Sequence, residues 1–73
     1  MEKFIKNFAA QFDDTEMSEF TPKTVFKELD EWSSLIALSV IAMVDEEYDK
    51  RITGADLRSV ATIEELYNVI EAK

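Results

Sequence analysis

Residues 33–48 read Ser33-Ser34-Leu35-Ile36-Ala37-Leu38-Ser39-Val40-Ile41-Ala42-Met43-Val44-Asp45-Glu46-Glu47-Tyr48, and their spacing decides the fold. No Gly or Pro interrupts them, and apolar residues recur at helical intervals, so the stretch reads as a helix over 34–48. Ser33 or Ser34 can cap it, because a hydroxyl accepts a hydrogen bond from a free N–H of the first turn. The apolar residues fall on two faces. Ala37, Val40, Ile41, Val44 and Tyr48 make a core stripe, and Leu35, Leu38 and Ala42 make a second one offset around the axis. A surface helix needs only one stripe. Either this helix is buried on most sides, or the second stripe faces a partner or a cargo.

The flanking sequence is helical too, with one Gly and one Pro in the whole chain. Upstream, Phe4, Ile5, Phe8, Ala9 and Phe12 form one stripe, which predicts an amphipathic helix over 2–12. Asp13, Asp14 and Thr15 are poor helix formers and end it. Residues 13–32 form a connection longer than most in a small domain. Within it, Thr21-Pro22 reads as an N-cap followed by proline at the first helical position, with a short helical turn through Val25 and Phe26. Met17, Phe20, Val25, Phe26, Leu29 and Trp32 are the expected anchors to the core. Downstream, residues 49–53 connect, with Ile52 turned inward. Thr53 caps a short helix that buries Leu57 and Val60. Thr62 and Glu65 have the spacing of a capping box. They open a last helix through Glu71, with Ile63, Leu66, Tyr67 and Ile70 inward. The expected fold is all-α: a four-helix bundle of three main helices plus a short third helix, with a long loop after helix one, in one domain over 1–73.

Composition narrows the function. The chain has 73 residues, no cysteine and no histidine. It therefore lacks a thiolate nucleophile, disulfides, the commonest general base and the commonest zinc ligands. No carboxylate pair sits in a context that supports acid–base chemistry. Catalysis is disfavoured, and the chain is not expected to be an enzyme. Sixteen acidic residues against eight basic ones give a net charge of −8. That sign disfavours nucleic acid and anionic membrane surfaces and favours partners with basic patches. The apolar positions of residues 1–12 are spaced rather than continuous, unlike a secretory signal. The apolar run from Leu35 to Val44 is too short to span a bilayer. A monomer in the cytoplasm, without membrane insertion, is expected. Asp45-Glu46-Glu47 reads as a solvated helix face, not a cation site. Trp32 reads as a packing anchor, and Met17 and Met43 as gap fillers.

The stretch that carries chemistry is Leu29-Asp30-Glu31-Trp32-Ser33-Ser34-Leu35. Ser34 stands at the first turn of a helix, where free N–H groups and the helix dipole favour negative charge. A phosphodiester on that serine would be stabilised by the helix itself. Taken alone, Ser-Ser-Leu at a helix start is an ordinary cap.

The wider pattern resembles the acyl carrier protein family. Ser34-Leu35 falls on the Ser-Leu of that family's Asp-Ser-Leu attachment motif at the start of helix two. Val44-Asp45-Glu46-Glu47-Tyr48 is similar to its acidic end of helix two. Ile52-Thr53 is similar to the residues before its third helix, and Val60-Ala61-Thr62-Ile63 to the opening of its fourth. The resemblance covers residues 29–71. It implies a 4'-phosphopantetheine arm attached covalently to Ser34 by a phosphopantetheinyl transferase, from coenzyme A. The arm's thiol would carry acyl intermediates as thioesters, for fatty-acid or polyketide-like biosynthesis, which accounts for a carrier without cysteine. It also implies an apolar interior able to shelter a growing chain. Acyl-loading and synthase enzymes with basic docking patches would be its partners.

Two departures from the family pattern stand out. Ser33 replaces the Asp before the attachment serine, which implies slower or more selective modification. Ile36 and Ser39 occupy positions that are often acidic. Docking is therefore expected on Leu35, Ile36, Leu38 and Ala42, with Asp45 and Glu46 adding charge, and with less sensitivity to salt than in a typical fatty-acid carrier. Two alternatives stay open. One is an aminoacyl or peptidyl carrier. The other is an unmodified helical adaptor that presents the 35–42 face to a partner.

Overall fold

A computed structural model of the chain describes residues 1–73 and contains four α-helices and no strand. They are α1 (Glu2–Ala9), α2 (Ser34–Tyr48), α3 (Gly54–Ser59) and α4 (Ile63–Ala72). The expected order, three main helices with a short third one, is what the chain adopts. No helix is long and apolar enough to cross a membrane.

Helix α1 stops three residues before its apolar stripe does. The Gln11 and Phe12 N–H groups turn back to the Phe8 and Ala9 carbonyls at 3.1 and 3.0 Å. That tighter closure ends the helix. It still delivers Phe12 to the core, where it is buried.

The long connection is built from two 3-10 turns, Met17–Glu19 and Phe26–Glu28. Thr21-Pro22 does not open a helix. Instead the Thr24 N–H donates to the Thr21 carbonyl at 3.1 Å, which places Pro22 at the second position of a β-turn, where its fixed φ is favourable. The Thr24 hydroxyl locks that turn by accepting the Thr21 N–H at 2.8 Å and donating to the Glu19 carbonyl at 2.7 Å. Among the expected anchors, Phe20 and Phe26 are buried, and Leu29 and Trp32 pack half-buried against the core. Met17 and Val25 are exposed, at 49 % and 38 %. Val25 forms an isolated antiparallel bridge with Thr62. In such extended backbone, neighbouring side chains point to opposite sides, so Phe26 takes the inward place. Met17 rims two shallow hollows beside Lys6, and Phe20 supplies the anchor that its turn needs.

Capping accounts for the second half of the chain. The Thr53 hydroxyl accepts the Asp56 N–H at 3.2 Å, and the Asp56 carboxylate accepts the Thr53 N–H at 3.0 Å. At α4 the Thr62 hydroxyl accepts the Glu65 N–H at 3.2 Å, and the Glu65 carboxylate accepts the Ala61 and Thr62 N–H groups at 2.6 and 3.1 Å. The other first-turn donors of α4 are satisfied by the long connection. Ile63 N–H donates to the Thr24 carbonyl at 3.2 Å and Glu64 N–H to the Pro22 carbonyl at 3.0 Å. Helix α2 ends at Asp49, whose φ of 54° is left-handed, a conformation Asp tolerates better than most residues.

The core is a single cluster of fifteen buried residues, all apolar. Its centre is aromatic. Phe8 lies 5.3 Å from Phe26 and 5.5 Å from Phe12, Phe12 lies 5.0 Å from Phe20, and Trp32 lies 5.0 Å from Phe26, centroid to centroid. Trp32 thus anchors the connection immediately ahead of α2.

Candidate functional site

The two serines at the start of α2 differ in chemistry. Ser33 has extended backbone and is the N-cap: its hydroxyl accepts the Ile36 N–H at 3.2 Å, and its carbonyl accepts the Ala37 N–H at 2.9 Å. Ser34 is the first helical residue and is exposed. No protein group hydrogen-bonds its hydroxyl, while its neighbour's is engaged. The Ser34 and Leu35 N–H groups have no partner inside the helix, as at any helix start. The first turn of α2 carries no acidic side chain, so nothing on the helix neutralises the positive end of its dipole. A phosphate ester on the Ser34 oxygen would face open solvent, free donors and an uncompensated dipole, and the residues present fit such a group.

Helix geometry sorts the expected docking residues. At about 100° per residue, Ser34, Leu35, Leu38, Ala42, Asp45 and Glu46 fall within one arc of α2 about 120° wide. All six are exposed, Leu35 at 75 % and Leu38 at 62 %. The two-stripe pattern therefore resolves as one core stripe and one solvent-facing apolar stripe. Ile36 does not join the outer arc. It is half-buried and packs against the core, in line with Val40, Met43 and Val44 on the inner side. Its spacing of four residues from Val40 and seven from Met43 puts it there.

Glu31 has a role the sequence did not disclose. In the structure its carboxylate clasps the end of α1, accepting the Asp13 and Asp14 N–H groups at 2.6 and 3.0 Å and the Thr15 hydroxyl at 2.7 Å. The Thr15 hydroxyl is the largest cause that holds its pKa below the usual carboxylate range; desolvation opposes it, and the Asp13 and Asp14 N–H groups add to the lowering. No short sequence pattern signals this clasp, because its partners lie 16 to 18 residues away.

Four hollows mark the surface. One, between the long connection and the segment ahead of α2, is lined by Asp14, Glu16, Glu19, Asp30 and Glu31 with Thr15 and Leu29. No group of acidic residues on the chain is arranged to hold a metal ion. Another lies between α1 and α2, against Asn7, Gln11, Ser39, Ala42, Glu46 and their neighbours. The remaining two flank Met17. None of the four is lined by Ser34 or by any residue of α3 or α4. No family model, no curated protein and no solved structure matches the chain.

Proposed function

We propose that this chain is an acyl carrier protein whose Ser34 accepts a 4'-phosphopantetheine arm. The observation that carries the reading is the division of labour between the two serines. Ser33 holds the helix and leaves Ser34 free, exposed and set at the positive end of α2. In the attachment step the Ser34 oxygen forms a bond to the β-phosphorus of coenzyme A. The pyrophosphate bond breaks, adenosine 3',5'-bisphosphate leaves, and the serine proton passes to a base on the transferase. Once attached, the arm supplies the thiol that this chain lacks, and with it the capacity to hold acyl groups as thioesters.

The chain's own residues present and orient the arm. The unneutralised first turn of α2 favours the phosphodiester charge. The outer arc of α2 supplies the docking face: Leu35, Leu38 and Ala42 give apolar contact, and Asp45 and Glu46 give charge at its far end. Such a face suits synthase and loading enzymes that combine an apolar patch with Lys and Arg. Fatty-acid or polyketide-like synthesis in the cytoplasm is the proposed setting.

The test is intact-protein mass after incubation with coenzyme A and a broad-specificity phosphopantetheinyl transferase. The wild type and Ser33→Ala are expected to gain one arm, and Ser34→Ala none. If the wild type gains nothing with several transferases, the exposed arc of α2 is better read as the face of an unmodified adaptor.

A further inference from the structure

We propose that Arg51 and Arg58, beside the start of α3, form a docking point for a carboxylate cluster on a partner protein. The point is separate from the outer arc of α2 and does not depend on whether Ser34 carries an arm.

Charge is spread unevenly along the chain. Residues 50–58 hold three basic side chains, Lys50, Arg51 and Arg58, and one acidic one, Asp56. The rest of the chain holds five basic and fifteen acidic residues. The segment around α3 is a cationic island in an acidic protein.

The lysines of this region are used by the fold. Lys27 Nζ donates to the Leu57 and Arg58 carbonyls at 3.1 and 3.3 Å, at the end of α3 where free carbonyls attract a cation. Lys50 Nζ donates to the Lys73 carbonyl, and Lys73 Nζ pairs with Asp56 at 3.2 Å. The Asp56 carboxylate also accepts the Thr53 N–H at 3.0 Å. The segment's own carboxylate is thus already committed.

The two arginines are left over. Both are exposed, and neither belongs to either of the chain's two ion pairs. Ile52 is buried while the residues on either side of it are exposed, so Arg51 leaves the connector toward solvent. Arg58 lies a turn along α3, but its side chain folds back. Its Nη1 stands 3.3 Å from the point a Cβ on Gly54 would occupy. Glycine at 54, the chain's only one, leaves that space open. The fold therefore returns the Arg58 guanidinium to the end of α3 that Arg51 precedes. Guanidinium groups grip carboxylates through paired N–H donors, and a planar fork without a partner is suited to that contact.

Size selects the kind of anion. Helix α3 has six residues and is roughly 9 Å long. Screening confines the field of exposed charges to about 8 Å at physiological salt. A membrane plane or a nucleic-acid strand extends well past this island and meets the acidic remainder of the chain. A compact group of carboxylates on a protein surface fits within it.

The test titrates the isotope-labelled, unmodified chain at low ionic strength with hexaglutamate and, separately, with vesicles containing phosphatidylglycerol. Hexaglutamate is expected to shift the amide signals of residues 51–59 saturably, and the shifts should fade as salt is added. Arg51→Gln combined with Arg58→Gln should abolish them at an unchanged urea midpoint, while Lys3→Gln combined with Lys6→Gln should leave them in place. Shifts that survive loss of both arginines, or that spread equally over Lys3, Lys6 and Lys23, would overturn the proposal. So would vesicles that perturb residues 51–59 more strongly than the peptide does, since the surface recognised would then be a membrane.

Discussion

The two sides of α2 follow different rules, although their residues are drawn from the same apolar alphabet. On the inner side Val40, Met43 and Val44 are buried, with Ile36, Ala37, Ile41 and Tyr48 packed beside them. On the outer side Leu35 and Leu38 stand 75 % and 62 % exposed. Core packing explains every inner residue, and it explains neither outer leucine. An exposed Leu is ordinary singly, but two of them with Ala42 on the arc that begins at Ser34 form the apolar patch on which the proposed docking rests. One helix thus carries the stability of the fold on one face and the proposed function on the other.

The sharpest break between the faces comes from the inner one. Met43→Ala should lower the unfolding free energy by about 2–5 kcal/mol, the usual cost of emptying a buried site of this size. A chain of 73 residues has a total stability of roughly 4–11 kcal/mol, so the variant should show a clearly lowered urea midpoint. An unchanged midpoint would show that the inner face is not packed as described.

The boundary between the faces is set by Ser33. Ser33→Ala removes the hydroxyl that accepts the Ile36 N–H and should cost about 1 kcal/mol in a denaturation curve. Ser34→Ala should leave that curve in place, since no hydrogen bond is lost. Equal destabilisation by both would mean that the cap had been assigned to the wrong serine.

Acid should loosen the segments around α2 before it affects the aromatic core. Three carboxylates have pKa values below their usual range. For Glu31 the largest cause is the Thr15 hydroxyl. For Asp56 it is the Thr53 N–H, with Lys73 adding, and for Glu65 it is the Ala61 N–H. A pKa lowered by folding contributes stability that is present above the unfolded value and lost as pH falls through the folded one. Stability should therefore stay level from neutral pH down to about pH 5 and decline below about pH 4. Part of that loss should fall on the clasp between Glu31 and Asp13–Thr15, read by the amide signals of Asp13 and Asp14. Glu31→Gln should remove most of that acid response from those two amides while leaving the Thr62 cap unaffected. If their acid response persists in Glu31→Gln, the clasp is not its source.

These comparisons also mark where the sequence could be read and where it could not. The span of α2, the caps at Thr53 and Thr62, and the inward Ile52, Leu57, Val60, Ile63, Leu66 and Ile70 were legible, because each follows from neighbours within a turn or two. The reciprocal half of the Thr53 box was missed, since Asp56 stands where the usual pattern has Glu or Gln. Residues 10–33 were read less well. Their order comes from partners far along the chain: Glu31 with the end of α1, and Thr24 and Pro22 with the first turn of α4. Ile36 was expected on the exposed face because it stands where the resembled family is often acidic, but about 100° of rotation separates it from Leu35, and it packs half-buried against the core. The exposed serine was legible as a candidate, but which of the two serines was free required the cap geometry.

The smallest effect on stability should come from the outer face, and there the comparison is most informative. Leu38→Ala removes a side chain similar in size to Met43, yet at 62 % exposure it should change stability by less than about 0.5 kcal/mol. If the outer arc is a docking face, the same variant should weaken binding of a synthase partner severalfold while the arm is still attached at Ser34. Asp45→Asn and Glu46→Gln should act differently, mainly slowing association and doing so less as salt rises, because exposed charges at the rim of a patch are screened. A partner affinity that is indifferent to Leu38→Ala but collapses with modest salt would reverse the order, making the acidic end of α2 the recognition element and the leucines mere surface.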